Sequence, residues 1–146
     1  MKIYLASSWR NPHHPAVVGD LRRAGHEVYD FRENGFSWKN ITNRPIQTVD
    51  EYRLALRDSR AGEGFRRDFE AMNAADVGIL LLPAGRSAHL ELGYMAGCGK
   101  LTIVWTHDGE EPELMNLLAN DICSTFEEVC HTLDIWGGSI RRISGK

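Results

Sequence analysis

The sequence predicts an α/β fold, a three-layer, doubly wound parallel sheet of the flavodoxin-like kind with about five strands. Short apolar runs of strand length alternate along the chain with segments of helical pattern. The run at residues 77–82 is apolar throughout, as in a strand buried on both faces. Strands that alternate with helices form βαβ units with right-handed crossovers, so a ligand site is expected at the carboxyl ends of the first and third strands.

The first half of the chain is predicted to form strands, helices and one long loop. Strands are predicted at residues 2–6 and 26–31, and helices at 15–24, 48–59 and 64–75. Thr48, with Glu51 three residues later, is a capping box at the start of one helix. Residues 32–47 have no periodicity and contain Phe36 and Trp38, which favours a functional loop over a disordered one.

The second half of the chain completes the sheet. Strands are predicted at residues 77–82 and 101–105 and near Cys123, and helices at 87–98, 111–118 and 124–133. Ser87 and Ser124 are the expected caps of two of these helices. Residues 136–146 are glycine-rich and basic, so we expect a flexible tail on a single domain that spans residues 1–146.

Composition and charge limit the classes of function. Of the 146 residues, 42% are hydrophobic and 25% charged, as in an ordinary globular domain. The net charge of −3 and the pI of about 6.1 argue against a nucleic-acid polymer or an anionic membrane as the partner. No apolar run reaches the ~18 residues of a membrane span, and the three cysteines have no metal-ligand spacing. We therefore expect a cytoplasmic protein that holds no metal.

One carboxylate in the second half, Glu91, lies among small and apolar neighbours. It follows Ser87 by four residues on the helix after the buried strand. A glutamate near a helix N-terminus often faces water, where the helix dipole stabilises it. Gly93 and Gly97, which cost a helix roughly 1 kcal/mol each relative to alanine, indicate instead that something approaches this helix closely. We expect Glu91 to point into a walled site.

A second carboxylate, Asp68, lies on the helix that leads into the same buried strand. Two carboxylates in one pocket are the minimum for glycosidic chemistry, in which one attacks the anomeric carbon and the other handles protons. Asp76, directly before the strand, is better explained as a turn residue.

The loop after the first strand lacks the G-x-G-x-x-G pattern, which disfavours a dinucleotide-binding domain. Ser7 and Arg10 in this loop could bind a phosphate or sugar hydroxyls, and so could Arg86 and Ser87 at the start of a later helix. Each is equally consistent with an ordinary surface residue.

Three segments together resemble a known family. They are Tyr4-Leu-Ala-Ser, Asp68 with Asp76-Val, and Gly85-Arg-Ser-Ala-His-Leu-Glu91-Leu-Gly93. Their order and spacing, over residues 2–133, resemble the nucleoside 2-deoxyribosyltransferase family, including the related nucleoside 5′-monophosphate N-glycosidases. The resemblance implies a homo-oligomer, a dimer or larger, that acts on a small nucleoside or nucleotide without a cofactor.

The resemblance also implies roles for single residues. Glu91 matches the family's nucleophile, Asp68 its proton-handling aspartate, and Tyr4 the tyrosine that orients the nucleophile. Arg10 matches the phosphate-binding arginine of the hydrolases, and Met115 a methionine that packs at a neighbouring subunit's site.

Two positions depart from the family pattern. Gly85 stands where the transferases have an aspartate and the hydrolases a serine. Glu113 stands where the relatives have an asparagine or serine near the 5′ end of the sugar, and its charge would repel a phosphate. Arg10 therefore favours a nucleotide substrate and Glu113 a nucleoside, and the sequence leaves both open.

These residues lead to one hypothesis and two alternatives. The hypothesis is cleavage of the N-glycosidic bond of a (deoxy)nucleoside or nucleoside 5′-monophosphate, with transfer to another base or hydrolysis. Glu91 is expected to be ionised at neutral pH, because an ordinary glutamate titrates near ~4.3, and to attack C1′ while Asp68 protonates the leaving base. Phe36 and Trp38 are expected to stack on that base. The alternatives are an NAD-cleaving glycohydrolase and a nucleotide-binding module without catalytic activity.

Overall fold

One sheet of parallel strands forms the centre of the structure, a computed structural model. It describes the backbone of residues 1–144, and the side chains of these residues except Asn34 and residues 139–144. The strands are β1 Lys2–Ala6, β2 Glu27–Tyr29, β3 Val77–Leu81, β4 Leu101–Trp105 and β5 Asp121–Cys123. Their order in the five-stranded sheet, β2-β1-β3-β4-β5, is that of flavodoxin-like folds, so the predicted fold class is confirmed.

Helices cover both faces of this sheet and make the outer layers. They are α1 His14–Arg23, α2 Val49–Leu56, α3 Ser59–Ala74, α4 Arg86–Gly97 and α5 Phe126–Ser144. Val17 of α1 and Leu133 of α5 are buried in one core, with Ile3 and Leu5 of β1. The opposite core holds Met72 of α3, Leu92 and Met95 of α4, and Tyr4 and Ala6 of β1. The alternation along β1 thus sends Tyr4 to the α3–α4 side of the sheet.

Two helices extend well beyond their predicted residues because of features outside their own periodicity. Helix α3 begins at Ser59, five residues earlier than expected, since the side chain of Asp58 caps it by accepting a hydrogen bond from Arg60 N at 2.9 Å. Helix α5 continues to Ser144, so residues 136–144, where a flexible tail is predicted, have helical backbone. Residues 145–146 lie outside the described part of the chain. Trp136 packs against the core, which offsets the roughly 1 kcal/mol that each nearby glycine costs the helix.

Three local predictions need correction at helix ends. Thr125, one residue beyond the predicted cap Ser124, caps α5 by accepting a hydrogen bond from Glu128 N at 3.2 Å. Gly85 is the N-cap of α4 and makes no side-chain cap bond, so Ser87 lies inside that helix. The α-helix predicted at 111–118 is a short 3-10 helix, Leu114–Leu118. It starts beyond Pro112, because a proline disfavours helical backbone angles in the residue before it.

A glycine in the sheet leaves room for a side chain of α4. A side-chain carbon at Gly78 of β3 would lie 2.8 Å from the sulfur of Met95, so the glycine lets the Met95 side chain pack against the strand. No described atom of this chain lies within 4 Å of a carbon built at Gly93 or Gly97. Between residues 1 and 144, no helix is both long enough and apolar enough to span a membrane.

Candidate active site

The phenol of Tyr4 connects strand β1 to Glu91 of α4. Tyr4 is fully buried on β1, and its hydroxyl donates a hydrogen bond to the Glu91 carboxylate. Burial, and then the charges of Glu91 and Asp68, raise the pKa of Tyr4, so the phenol stays protonated and remains a donor. The structure therefore brings together two of the residues that were predicted to cooperate, and Glu91 points toward the sheet.

Asp68 of α3 is held by a second tyrosine. The hydroxyl of Tyr29 on β2 donates a hydrogen bond of 2.8 Å to Asp68 Oδ1. Tyr29 is the register partner of Tyr4 on the neighbouring strand, and the two rings stack with centroids 5.4 Å apart and planes 12° apart. Each tyrosine of this stacked pair thus holds one of the two carboxylates.

Both carboxylates line one cavity of about 190 Å³ at the carboxyl edge of the sheet. Ser7, Phe36 and Ser87, all predicted to bind substrate, also line it. This is the switch point between β1 and β3, where doubly wound sheets bind their ligands. The structure thus supplies a concave site that combines two acids with hydroxyl and aromatic groups.

Three further large side chains at this cavity were not predicted from the sequence. Trp9 and Phe31 form one wall, with ring centroids 5.4 Å apart, and Arg67 brings a guanidinium beside Asp68. Trp9 directly precedes Arg10 in the sequence, but a single sequence does not show which of two adjacent loop residues turns inward.

The two carboxyl groups have pKa values above their ordinary range. Burial, and secondly the charge of Asp68, raise the pKa of Glu91 to about 7, against the opposing hydrogen bond from Tyr4. Burial also raises the pKa of Asp68, against the hydrogen bond from Tyr29 and the charge of Arg67. A glutamate with this pKa is about half protonated at neutral pH. Glu91, predicted to be ionised at neutral pH, is therefore ionised there only in part, and the charge of Asp68 contributes to this.

The loop after β1 is tied to the end of β3. The hydroxyl of Ser7 donates to the Leu81 carbonyl at 2.9 Å and accepts from Asn11 Nδ2 at 3.0 Å. Asn11 is fully buried, and its amide also donates to the Pro83 carbonyl at 3.2 Å. Ser7 is thus fixed by protein contacts, and its hydroxyl proton is already engaged.

A guanidinium group holds the same loop from the β2 side. Arg32 donates from one nitrogen to the carbonyls of Ser8, Trp9 and Asn11 at 2.9, 3.0 and 2.9 Å. Its guanidinium carbon also lies 5.9 Å from the centroid of the Trp9 ring. Arg32 therefore sets the position of Trp9 at the cavity.

Phe36 borders both this cavity and a second, larger and more apolar one. The second cavity, of about 560 Å³, is also lined by Phe36, Ser87 and both carboxylates. Of these two cavities, Trp38 lines only the second, and its ring centroid lies 5.0 Å from that of Phe36. The two predicted stacking residues therefore lie at the site, but only Phe36 borders both cavities.

Four predicted binding residues lie elsewhere. Arg10 is exposed and lines neither of these two cavities. Gly85, Arg86 and Met115, together with Glu113, line a third cavity of about 630 Å³ along another face of α4. The structure of one chain thus does not bring these residues to Glu91.

The structural role expected for Asp76 fits its contacts. Lys2 N donates to Asp76 Oδ2 at 2.8 Å, which joins the start of β1 to the turn before β3.

Within residues 1–144, no cluster of three or more histidine, cysteine or acidic side chains has a metal-binding arrangement.

Comparison with known proteins places this fold. No protein-family model matches the sequence, and no curated protein matches it significantly. Among solved structures, a 2-deoxyribosyltransferase from Bacillus psychrosaccharolyticus matches 88% of this chain and 90% of its own, with a TM-score of 0.60 and 23% identity. A CMP N-glycosidase from Clostridium botulinum matches 92% and 99%, with a TM-score of 0.55 and 17% identity. A conserved protein from Enterococcus faecalis matches 88% and 94%, with a TM-score of 0.57 and 15% identity. The predicted resemblance is thus confirmed for the fold.

Proposed function

We propose that this chain cleaves the N-glycosidic bond of a (deoxy)nucleoside or nucleoside 5′-monophosphate through a glycosyl ester on Glu91. The observation that carries the proposal is the pairing of Glu91 and Asp68 in one cavity, each held by one tyrosine of a stacked pair. The names of the similar structures, a 2-deoxyribosyltransferase and a CMP N-glycosidase, support the same substrate class.

The proposed reaction has two displacements. A Glu91 oxygen attacks C1′ and forms the ester, while the C1′–N bond breaks and its electron pair stays on the base nitrogen, which takes a proton from Asp68. In the second step the nitrogen of another base, or water, attacks C1′. Its proton goes to Asp68 and the Glu91 carboxylate is released. The reaction needs no redox partner and leaves the enzyme unchanged.

The proposed place of the base follows from the aromatic walls. Phe36 borders both cavities that contain the carboxylates, Trp9 lines one of them, and Trp38 lines the other. An aromatic side chain offers a purine or pyrimidine a stacking surface. The base would lie against Phe36, with the sugar carbon C1′ at Glu91.

The third cavity supports a role for a second subunit. Met115 is 66% exposed, and its neighbours Leu114 and Leu118 are also exposed on the 3-10 helix. Because Met115 lies apart from Glu91 of its own chain, we propose that it serves the site of a neighbouring subunit in a homo-oligomer. Light scattering after size exclusion tests this: a monomer at micromolar concentration contradicts it.

A substrate panel tests the proposed function. The chain is incubated with nucleosides, deoxynucleosides, their 5′-monophosphates and NAD, with and without a second base, and the products are separated by chromatography. Release of a free base that stops in Glu91→Gln supports the proposal, and a new nucleoside in the presence of the second base identifies transfer. Release of nicotinamide alone favours the glycohydrolase alternative. Thermal stabilisation by a nucleotide without any product favours the silent binding module.

A further inference from the structure

The two tyrosines form a symmetric arrangement that family resemblance did not indicate. Tyr4 and Tyr29 are register partners on adjacent strands, and their rings stack 5.4 Å apart. Tyr4 donates to Glu91 and Tyr29 donates to Asp68 at 2.8 Å. The sheet thus presents two fixed hydroxyl donors, side by side, to the two acids.

We propose that Tyr29 is a positioning residue whose hydrogen bond to Asp68, set against that of Tyr4 to Glu91, governs which carboxyl group holds the proton of the site. This inference rests on the proposed function for its catalytic meaning. The location of the proton itself does not depend on any activity.

The charged and titratable groups around the pair define the balance. Asp68 faces Tyr29 from β2, Arg67 from its own helix and Glu91 from α4. Glu91 faces Asp68 and, from β1, Tyr4. A hydroxyl that donates to a carboxylate favours its charged form. Tyr29 therefore favours a charged Asp68, and Tyr4 favours a charged Glu91.

The proposed chemistry needs the proton of the site to be on Asp68 and not on Glu91. Attack on C1′ requires a charged Glu91, and departure of the base requires a proton on Asp68. With Tyr29 bonded to Oδ1, the proton to be transferred lies on Oδ2 of Asp68. Tyr29 thus fixes the orientation of the acid while it holds the proton affinity of the acid low. The Tyr29→Phe variant isolates this hydrogen bond, because it keeps the ring and its stack but loses the hydroxyl donor.

The first test follows the carboxyl groups themselves. Carbon-13 NMR of labelled Asp and Glu side chains measures the titration of each group, with Glu91→Gln and Asp68→Asn assigning the two signals. In Tyr29→Phe we expect the midpoint of Asp68 to rise by about one pH unit and that of Glu91 to fall, since a protonated Asp68 no longer repels it. Tyr4→Phe, the matched control, is expected to raise the midpoint of Glu91. An unchanged Asp68 titration in Tyr29→Phe overturns the proposal.

A second variant, Asp68→Asn, tests the proposal if Tyr29→Phe does not fold. Asp68→Asn removes the charge that Tyr29 stabilises, so the midpoint of Glu91 is expected to fall toward its ordinary value. A Glu91 midpoint that stays near 7 in Asp68→Asn contradicts the coupling on which the proposal depends.

The second test follows base release against pH in the wild type and in Tyr29→Phe. We expect the alkaline limb of the profile, which reports the last proton to leave the pair, to move upward in the variant. A purely structural role would lower the rate at every pH and leave the limb in place, and that result overturns the positioning role. If the wild type releases no base from any substrate, the proposed function fails, while the NMR titration still tests where the proton lies.

Discussion

Gly64 of α3 lies directly against the ring of Phe36. A side-chain carbon at Gly64 would meet Phe36 Cγ at 3.1 Å and Cβ at 3.2 Å, tighter than ordinary contact. Because Phe36 borders both cavities that contain Glu91, the missing side chain at Gly64 sets how far this ring reaches into the site. A backbone position on one helix thus determines the shape of the proposed base-binding surface.

Gly64→Ala is expected to displace the Phe36 ring and weaken substrate binding. The KM for the best substrate of the panel should rise roughly three- to tenfold, because a shift of tenths of an ångström is enough to disturb a stacked base. Gly97→Ala on α4 is the control: Gly97 is exposed, and an added carbon there meets nothing within 4 Å. It should raise stability by up to about 1 kcal/mol with KM unchanged. Equal KM values for the two variants would refute this role of Phe36.

Arg32→Met is expected to release the loop that carries Trp9. Arg32 makes three hydrogen bonds to loop carbonyls, and hydrogen bonds to charged groups contribute more than neutral ones. We expect a loss of about 2 kcal/mol in the free energy of unfolding, measured by urea denaturation, and a higher KM. Arg23→Met is the control, since Arg23 is exposed and pairs only with the neighbouring Asp20 among the ion pairs of the described residues. It should change stability by less than about 0.5 kcal/mol.

Glu91→Gln is expected to stabilise the fold at alkaline pH. The folded-state pKa of Glu91, about 7, lies above its ordinary value of 4.5, so the folded chain binds more protons than the unfolded chain between these pH values. The contribution of Glu91 to stability therefore falls as pH rises through this window and stays low above pH 7. Glutamine does not titrate, so the variant should melt about 3 °C or more above the wild type at pH 8 and show less gain at pH 5.

A matched substitution controls this melting experiment. Glu70→Gln lies on the exposed side of α3, where its ion pair with Arg66 at 3.7 Å contributes little. Calorimetry should find nearly the same melting temperature as the wild type at both pH values. A gain for Glu91→Gln that is larger at pH 5 than at pH 8 would show that the sign of the linkage is wrong.

The fold could be predicted from the sequence because its signals are local. The apolar runs of β1, β3 and β4 and the capping box at Thr48 each depend on a few adjacent residues. The extent of α5 could not be predicted, because the packing of Trp136 against a core built from distant strands outweighs two nearby glycines. Tertiary contact thus decided the element whose local signals were weakest.

The candidate site was predictable only in part for a similar reason. Glu91, Asp68 and Tyr4 belong to spaced motifs, and the structure brings them together. Tyr29 lies beside Tyr4 because of the register between β1 and β2, and the sequence of either strand alone does not specify that register. The raised pKa of Glu91 could not be predicted either, because it depends on burial and on a neighbouring acid that only the folded arrangement brings close.

The most direct test of the central claim is a mass measurement of the covalent intermediate. The wild type is mixed with the substrate that releases base fastest, quenched in acid within one turnover, and digested for peptide mass analysis. We expect the peptide that contains Glu91 to gain the mass of the glycosyl group, and Glu91→Gln to show neither this adduct nor base release, a loss of roughly 10³-fold or more. Base release by Glu91→Gln at the rate of the wild type, or an adduct on another residue, would contradict the account.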